Sequence, residues 1–328
     1  MEQSNALMLH IAQPEVEHDD FGEAQPSPFI EANTVPTTLE HIKQFQVIPT
    51  FRDSEPLISH AEFIEATQQV VFDFFHGEIV MKPSIRQSHM IQGRIPEAKD
   101  KPAHLLTERE RTVFYERLAF TIEVPSIQSN VGGHNLSLTV GGVKAYNLDN
   151  FYNRKGVDEH FKVFIGFQNK VCTNMCVWTD GYLSDLKVKS VAQLKAAIYG
   201  LVQGYESAYH LDALQAFNEY QLSEHQFATI IGRARMYQHL PAPFKKEIPP
   251  LLFGDNQIST VCKDYFRDKS FCREKDGNIS LWKLYNLFTG ANKSSYIDNF
   301  LDRSVNAFSF TEQITHALQG REASWYLN

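Results

Sequence analysis

Apolar residues recur in two rhythms along this chain, and the change between them falls near Ser190. From residue 56 to about 188 the pattern predicts helices mixed with strands. Ser59-His60-Ala61-Glu62 forms a capping box, and Phe63, Ala66, Val70 and Phe74 then return at helical spacing. A second box, Thr107-Glu108-Arg109-Glu110, predicts a short helix running to about Arg117. Beyond it, "LSLTV-GG-VKAYN" reads as two β-prone runs joined at Gly141-Gly142, since glycine tolerates the positive φ of a two-residue hairpin turn. "HFKVFIGF-QN-KVCTNMCVW" repeats the device with Asn169 at the turn, and Asp180-Gly181 supplies a third. The expected result is an antiparallel meander with one buried face.

After Ser190 the period becomes helical. Ser190 and Gln193 cap a helix whose face, Val191, Leu194, Ile198, Leu201, Tyr205 and Tyr209, extends over five turns and should pack on the sheet. Ser223 and Gln226 open another, with Phe227, Ile230 and Ile231 inward, and further helices are expected near 255–267, 279–289 and 310–319. The fold class is α+β: a meander packed by a long helix, followed by a mostly helical C-terminal half.

Charge changes this picture only at the N-terminus. Residues 1–50 carry Glu2, Glu15, Glu17, Asp19, Asp20, Glu23, Glu31 and Glu40 against Lys43 alone, a local net of −7 within a total of −8. With Pro14, Pro26, Pro28 and Pro36 spread through it and little apolar periodicity, 1–50 is expected to be a disordered leader, either solubilising or able to compete with nucleic acid for a basic surface. Residues 51–189 are expected to form the α+β region and 190–328 the helical one, with 51–328 as a single domain the alternative. No run of eighteen apolar residues and no signal-like start occur, so no membrane span and a cytoplasmic setting are expected. In that setting Cys172, Cys176, Cys262 and Cys272 should be reduced thiols, with the first two on one strand face.

Candidate chemistry is sparse. Gly290-Ala291-Asn292-Lys293-Ser294 has the end of a phosphate-binding loop, but Leu287 and Asn292 stand where close backbone approach to phosphate needs glycine. The cysteine spacing is not that of a zinc knuckle, the 13 histidines show no metal signature, and no nucleophile elbow occurs. The expectation is therefore no metal, no cofactor and no catalytic residue, with an enzyme the minority alternative. Cations beside aromatic rings are the better lead, since they track phosphates while bases stack. The nucleic-acid-binding candidates are Arg86, Arg94, Arg154, Lys155, Arg233, Arg235, Tyr237, Arg267 and Lys293. The segment "KDYFRDKSFCREK" adds Lys263, Lys269, Arg273 and Lys275 around Tyr265, Phe266 and Phe271. Solvated helix faces with internal ion pairs explain each of these singly.

Six runs carry a resemblance: "IRQSHMIQGRIPEA", "VFYERLAFTIEVPSI", "LSLTVGGVKAYNLDNFY", "VCTNMCVWTDGY", "LFGDNQISTVCKDYFRD" and "LWKLYNLFTGANKSSYIDNFLDRSVNAF". They resemble the uncharacterised family numbered 3871 among the domains of unknown function, from about residue 50 to Asn328. That resemblance implies a protein of bacterial mobile elements, carried on phages, plasmids and conjugative transposons, and brings no catalytic residues. Cys172, Asn174, Trp282, Tyr285 and Asn286 are also similar to a pattern of the phage- and plasmid-associated family 932 of that series. The long gap between these positions implies that they meet in the fold, with Asn174, Trp282 and Asn286 as buried structural pins. A meander followed by a long helix is similar to the core of phage single-strand annealing proteins, which oligomerise. The implied function is single-stranded DNA binding or annealing, with a homo-oligomer as partner state. The alternatives are a protein-directed anti-restriction or anti-defence factor and an unrecognised nucleic-acid enzyme.

Overall fold

The computed structural model describes residues 27–49, 57–98, 100–151 and 157–327. The chain enters through β1 (Thr34–Thr37) and α1 (Leu39–Phe45), then α2 (His60–Phe74) and β2 (Ser84–Ser88). A two-stranded pair follows, β3 (Ile91–Arg94) with β4 (Arg111–Tyr115), and then the long strands β5 (Leu118–Val131) and β6 (His134–Lys144). After α3 (Asn147–Phe151) come β7 (Glu159–Asn169), β8 (Met175–Cys176) and β9 (Tyr182–Val188). The main sheet runs β1-β2-β5-β6-β7-β8, with β9 also on β7, and every pairing in it is antiparallel.

Helices then take over: α4 (Val191–Gly204), α5 (Ser207–Glu219), α6 (Glu224–His239), α7 (Ala242–Lys245), α8 (Asp255–Arg267), α9 (Leu281–Asn292) and α10 (Ile297–Leu318). Between them β10 (Gln221–Leu222) pairs with β11 (Ile279–Ser280). The architecture is α+β, with the sheet in the N-terminal half and helices in the C-terminal half.

Strand alternation buries both faces of the sheet. Leu136, Leu138 and Val140 on β6, and Phe161, Val163, Ile165 and Phe167 on β7, point into the larger core with Phe63, Ile198, Phe217, Tyr265, Tyr285 and Phe308 from the helices. Sheet and helical halves thus share one apolar cluster. The opposite face, through Val143 and Phe164, packs against Phe29, Ile30 and the start of α10 at Ile297, Phe300 and Leu301.

Several local expectations need correction. Gly141 and Gly142 lie inside β6, not at a turn, because a side chain there would run into the Phe120 carbonyl or the Phe63 ring. The hairpin turns at Gly132-Gly133, whose φ values of +54° and +83° only glycine adopts freely, with Val131 opposite His134. The Thr107–Glu110 box is present but closes a single 3-10 turn; the next residues pair with β3 as β4 instead of continuing a helix. The five-turn helix divides at Tyr205, whose extended backbone lets its hydroxyl reach His210 Nδ1 at 2.6 Å. Only Met175 and Cys176 form β8, and Cys172 sits in the preceding turn beside Thr173 at φ +57°.

The part of the acidic segment that the structure describes is ordered, against the expectation from its charge. Residues 27–49 are built into the fold: β1 pairs with β2, Phe29 and Ile30 are buried, and Thr38 caps α1. Local composition missed this because the burial is tertiary. Residues 1–26 lie outside the described residues.

Candidate functional site

The same alternation that builds the core carries a lysine into it. Lys144 shares the inward parity of Leu138 and Val140 and is fully buried. A buried ammonium must be paired, and here all three protons are taken: by Asp149 Oδ2 at 3.0 Å, Glu159 Oε2 at 3.0 Å and the His160 carbonyl at 3.2 Å. The remaining carboxylate oxygens are also used. Asp149 Oδ1 accepts from the His160 N–H at 3.0 Å, and Glu159 Oε1 accepts from the Ile58 N–H at 2.8 Å. The ammonium sits 3.9 Å from the Phe161 ring centroid. The triad therefore ties the segment before α2 to α3, β6 and β7.

Beside it, His60 is fully buried and stacked on Tyr146 at 5.0 Å, with neither ring nitrogen hydrogen-bonded. Burial, reinforced by the Lys144 charge, lowers its pKa to about 3, so the imidazole is neutral. Tyr146 has φ +55° and its hydroxyl accepts from Gln46 Nε2 at 3.2 Å. The adjoining cavity, lined by Tyr146, Asp149, His160 and Asp185, is about 20 Å³, room for a single water-sized group.

Asn174, Trp282 and Asn286 meet at the other end of the sheet. Asn174 Nδ2 donates to the Asn286 carbonyl at 3.0 Å, and Asn286 Nδ2 donates to the Trp282 carbonyl at 2.9 Å. Trp282 is buried over the Gly132 turn, where a Cβ on that glycine would stand 2.6 Å from the indole Cδ1. This is a hydrogen-bonded joint between the turn before β8 and α9. Gly290 lies within α9 rather than ending it; Lys293 is the C-cap.

Most of the cations chosen from the sequence are structural. Arg86 Nε and Nη2 donate to Thr34 Oγ1 at 3.0 Å and the Thr34 carbonyl at 2.7 Å, fastening β1. Arg94 donates to the carbonyls of Ala98 and Lys101, closing that loop. Arg233 lies over the Trp325 ring at 4.9 Å, Arg235 grips Asp255 and Ser259, and Tyr237 is buried near Tyr326. Lys293 points inward: Nζ reaches Ser27 Oγ at 2.9 Å, Thr173 Oγ1 at 3.0 Å and the Cys172 carbonyl, and burial lowers its pKa. Packing thus occupies the donors of Arg86, Arg94 and Lys293, whereas Arg235 stays exposed in a surface ion pair and Arg233 is half-buried against Trp325. Arg154 and Lys155 lie outside the described residues. Of the nine, only Arg267 is exposed without an ion-pair partner among the described residues.

Arg267 belongs to a patch on α8. Lys263, Phe266 and Arg267 stand at i, i+3 and i+4, so their side chains share one helix face, and all are exposed. Phe266 is 55% exposed, one of several open rings in the molecule, with Phe45 and Phe244 more exposed still. The Arg273 guanidinium lies 5.1 Å from its centroid, and Tyr265 meets its edge from below at 4.8 Å. Lys269 and Lys275 are exposed in the following turn. Acids stand among these cations: Asp268 accepts from the N–H groups of Ser270 and Phe271, burial raises the pKa of Asp264, Arg273 is ion-paired to Glu224 at 3.9 Å, and Glu274 and Asp276 are exposed in the following turn. The arrangement presents one stacking ring among cations.

The sequence matches the family described as "Domain of unknown function, B. Theta Gene description", number 3871 of that series, over residues 15–327. The chain belongs to that family. No curated protein matches it, and no solved structure matches its fold. Family 3871 thus supplies membership without residue roles, and its match reaches back into the acidic segment that the motifs had left outside.

In this member of family 3871 the sequence pointed to the α8 segment but did not separate its exposed ring from the buried Tyr265 and Phe271. It missed the Lys144 triad altogether; the available signal was the parity of β6, which places Lys144 in line with Val140. Among the described residues no helix is long and apolar enough to cross a membrane, and no cluster of three or more His, Cys, Asp or Glu side chains is placed to hold a metal. The four thiols are unpaired, and burial pushes Cys172 up to about 11 and Cys176 higher.

Proposed function

We propose that this protein binds single-stranded nucleic acid, with DNA handling or annealing in mobile-element transfer as its setting, through the outer face of α8 and without catalysis. The observation that carries this is Phe266, a half-exposed ring flanked by Lys263, Arg267 and Arg273. Cations follow the backbone while a ring accepts a base, a combination that duplex DNA, with its bases stacked inward, cannot exploit. The mobile-element setting, which rests on the family resemblance, and a homo-oligomeric state, which rests on the likeness to phage single-strand annealing proteins, belong to the same proposal.

Fluorescence anisotropy with a labelled single strand, and with the same sequence as duplex, tests it at low salt. Binding that prefers the single strand and is lost in Phe266→Ala with Arg267→Glu supports the proposal. Equal affinity of wild type and double variant would overturn it.

A second reading, a protein-directed anti-defence factor, is favoured by the shallow groove of about 600 Å³ between α2 and α4. Glu62, Glu65, Phe72 and Lys195 line it, and Phe72 is 48% exposed. Its two carboxylates suit a basic partner protein and oppose phosphate.

A further inference from the structure

Three features converge on α8. The first is the patch itself, with Lys263, Phe266, Arg267 and Lys269 exposed. The second is the place where the described chain begins. Ser27 is held by Lys293 Nζ at 2.9 Å, and its backbone carbonyl accepts from Thr173 Oγ1 at 2.6 Å. Lys293 ends α9, and two residues later the Ser295 hydroxyl accepts from Gln257 Nε2 in the first turn of α8 at 2.8 Å, so Ser27 is anchored near the start of that helix. The third is the sequence leading to that anchor: residues 1–26 contain Glu2, Glu15, Glu17, Asp19, Asp20 and Glu23 and no Lys or Arg.

We infer that the acidic stretch Glu15–Glu23 docks on the α8 patch and competes there with nucleic acid, so that the chain carries its own polyanionic inhibitor. The inference rests on α8 being the nucleic-acid-binding surface only for its competitive part; the contact itself stands on charge and reach. The four-residue step from Glu23 to Ser27 spans at most about 14 Å when extended. α8, with 13 residues, is about 20 Å long, so the stretch from Glu15 to Glu23 is long enough to follow it. Five carboxylates would face Lys263, Arg267, Lys269 and Arg273, and Phe21 lies among them as an apolar group able to rest against Phe266.

Charge attraction of this kind weakens as the Debye length falls to about 8 Å at physiological salt, so the inhibition should be strongest in dilute buffer. The test uses the full chain. Zero-length carbodiimide coupling at low salt, followed by peptide mass spectrometry, should join carboxylates of 15–23 to Lys263 or Lys269, and excess single-stranded DNA should suppress those products. Absence of these cross-links, or their even spread over lysines of the whole surface, would overturn the docking. In parallel, the full-length variant Glu15→Gln, Glu17→Gln, Asp19→Asn, Asp20→Asn, Glu23→Gln should bind a labelled single strand several-fold more tightly than wild type, with the difference closing as salt rises. Equal binding by both proteins would overturn the competition. If the cross-links form but neither protein binds the strand, docking stands and nucleic-acid binding by α8 falls.

Discussion

The side-chain amide of Asn174 donates to the backbone carbonyl of Asn286 at 3.0 Å, joining the turn before β8 to the middle of α9 across 112 residues of chain. Asn286 in turn binds the Trp282 carbonyl one helical turn back, and Asn169 adds a longer contact to its Oδ1. All three asparagines are buried, so each hydrogen bond replaces one made to water in the unfolded chain.

Asn174→Ala is therefore expected to cost about 0.5–1.5 kcal/mol, the net worth of the lost hydrogen bond, because the Asn286 carbonyl keeps its bond from the Thr289 hydroxyl. Urea denaturation measures it. Affinity for a single strand should be unchanged, since the joint does not touch α8.

Removing one partner of the Lys144 triad should cost more. Lys144→Met leaves two buried carboxylates without their cation, a loss of about 3–5 kcal/mol. Adding Asp149→Asn and Glu159→Gln to the same chain should recover part of it, because the uncompensated charges go. Denaturant midpoints of the single and triple variants give the comparison, and a triple variant less stable than Lys144→Met would contradict the assignment.

His60 makes stability sensitive to acid. Its folded-state pKa of about 3 lies below the unfolded value near 6.5, so the unfolded chain binds the proton more readily. The contribution is intact above about pH 6.5 and is lost progressively as pH falls toward 3. His60→Leu should flatten the pH dependence of stability across that window and cost little at neutral pH, as neither ring nitrogen has a partner to lose. Thermal denaturation at a series of pH values checks the slope.

Lys293→Met should lower stability and leave nucleotide binding untouched. Its ammonium fastens Ser27 and the Cys172–Thr173 turn, and the surrounding Gly290–Asn292 segment is helix with Asn292 bonded to Phe300 and Ser304. Calorimetry with magnesium ATP is expected to show no binding by either protein.

The helices after Ser190 were legible because capping serines and helical spacing are local signals, seen at Ser223–Gln226 and along α8. The turn glycines were not. Gly132-Gly133 and Gly141-Gly142 look alike in sequence, and what separates them is Phe63 packing from a distant helix onto β6. The break at Tyr205 has the same origin, a contact with His210 that helical spacing cannot register. Cations were harder still: Arg86, Arg94 and Lys293 have the composition of a phosphate track, yet each is spent on backbone carbonyls or hydroxyls reached only through the fold. Phe266 stood out only once its neighbours Tyr265 and Phe271 were seen to be buried.

The most direct measurement of the central claim is the salt dependence of single-strand affinity for wild type, Arg267→Ala and Phe266→Ala. Each phosphate neutralised contributes about 0.7 to the slope of log affinity against log salt for a single strand. Arg267→Ala should lower that slope by about this amount, whereas Phe266→Ala should weaken binding by about 1–3 kcal/mol with the slope unchanged, because a stacked ring releases no counterion. Three coincident salt titrations, or no single-strand binding by any of the three at low salt, would contradict the account.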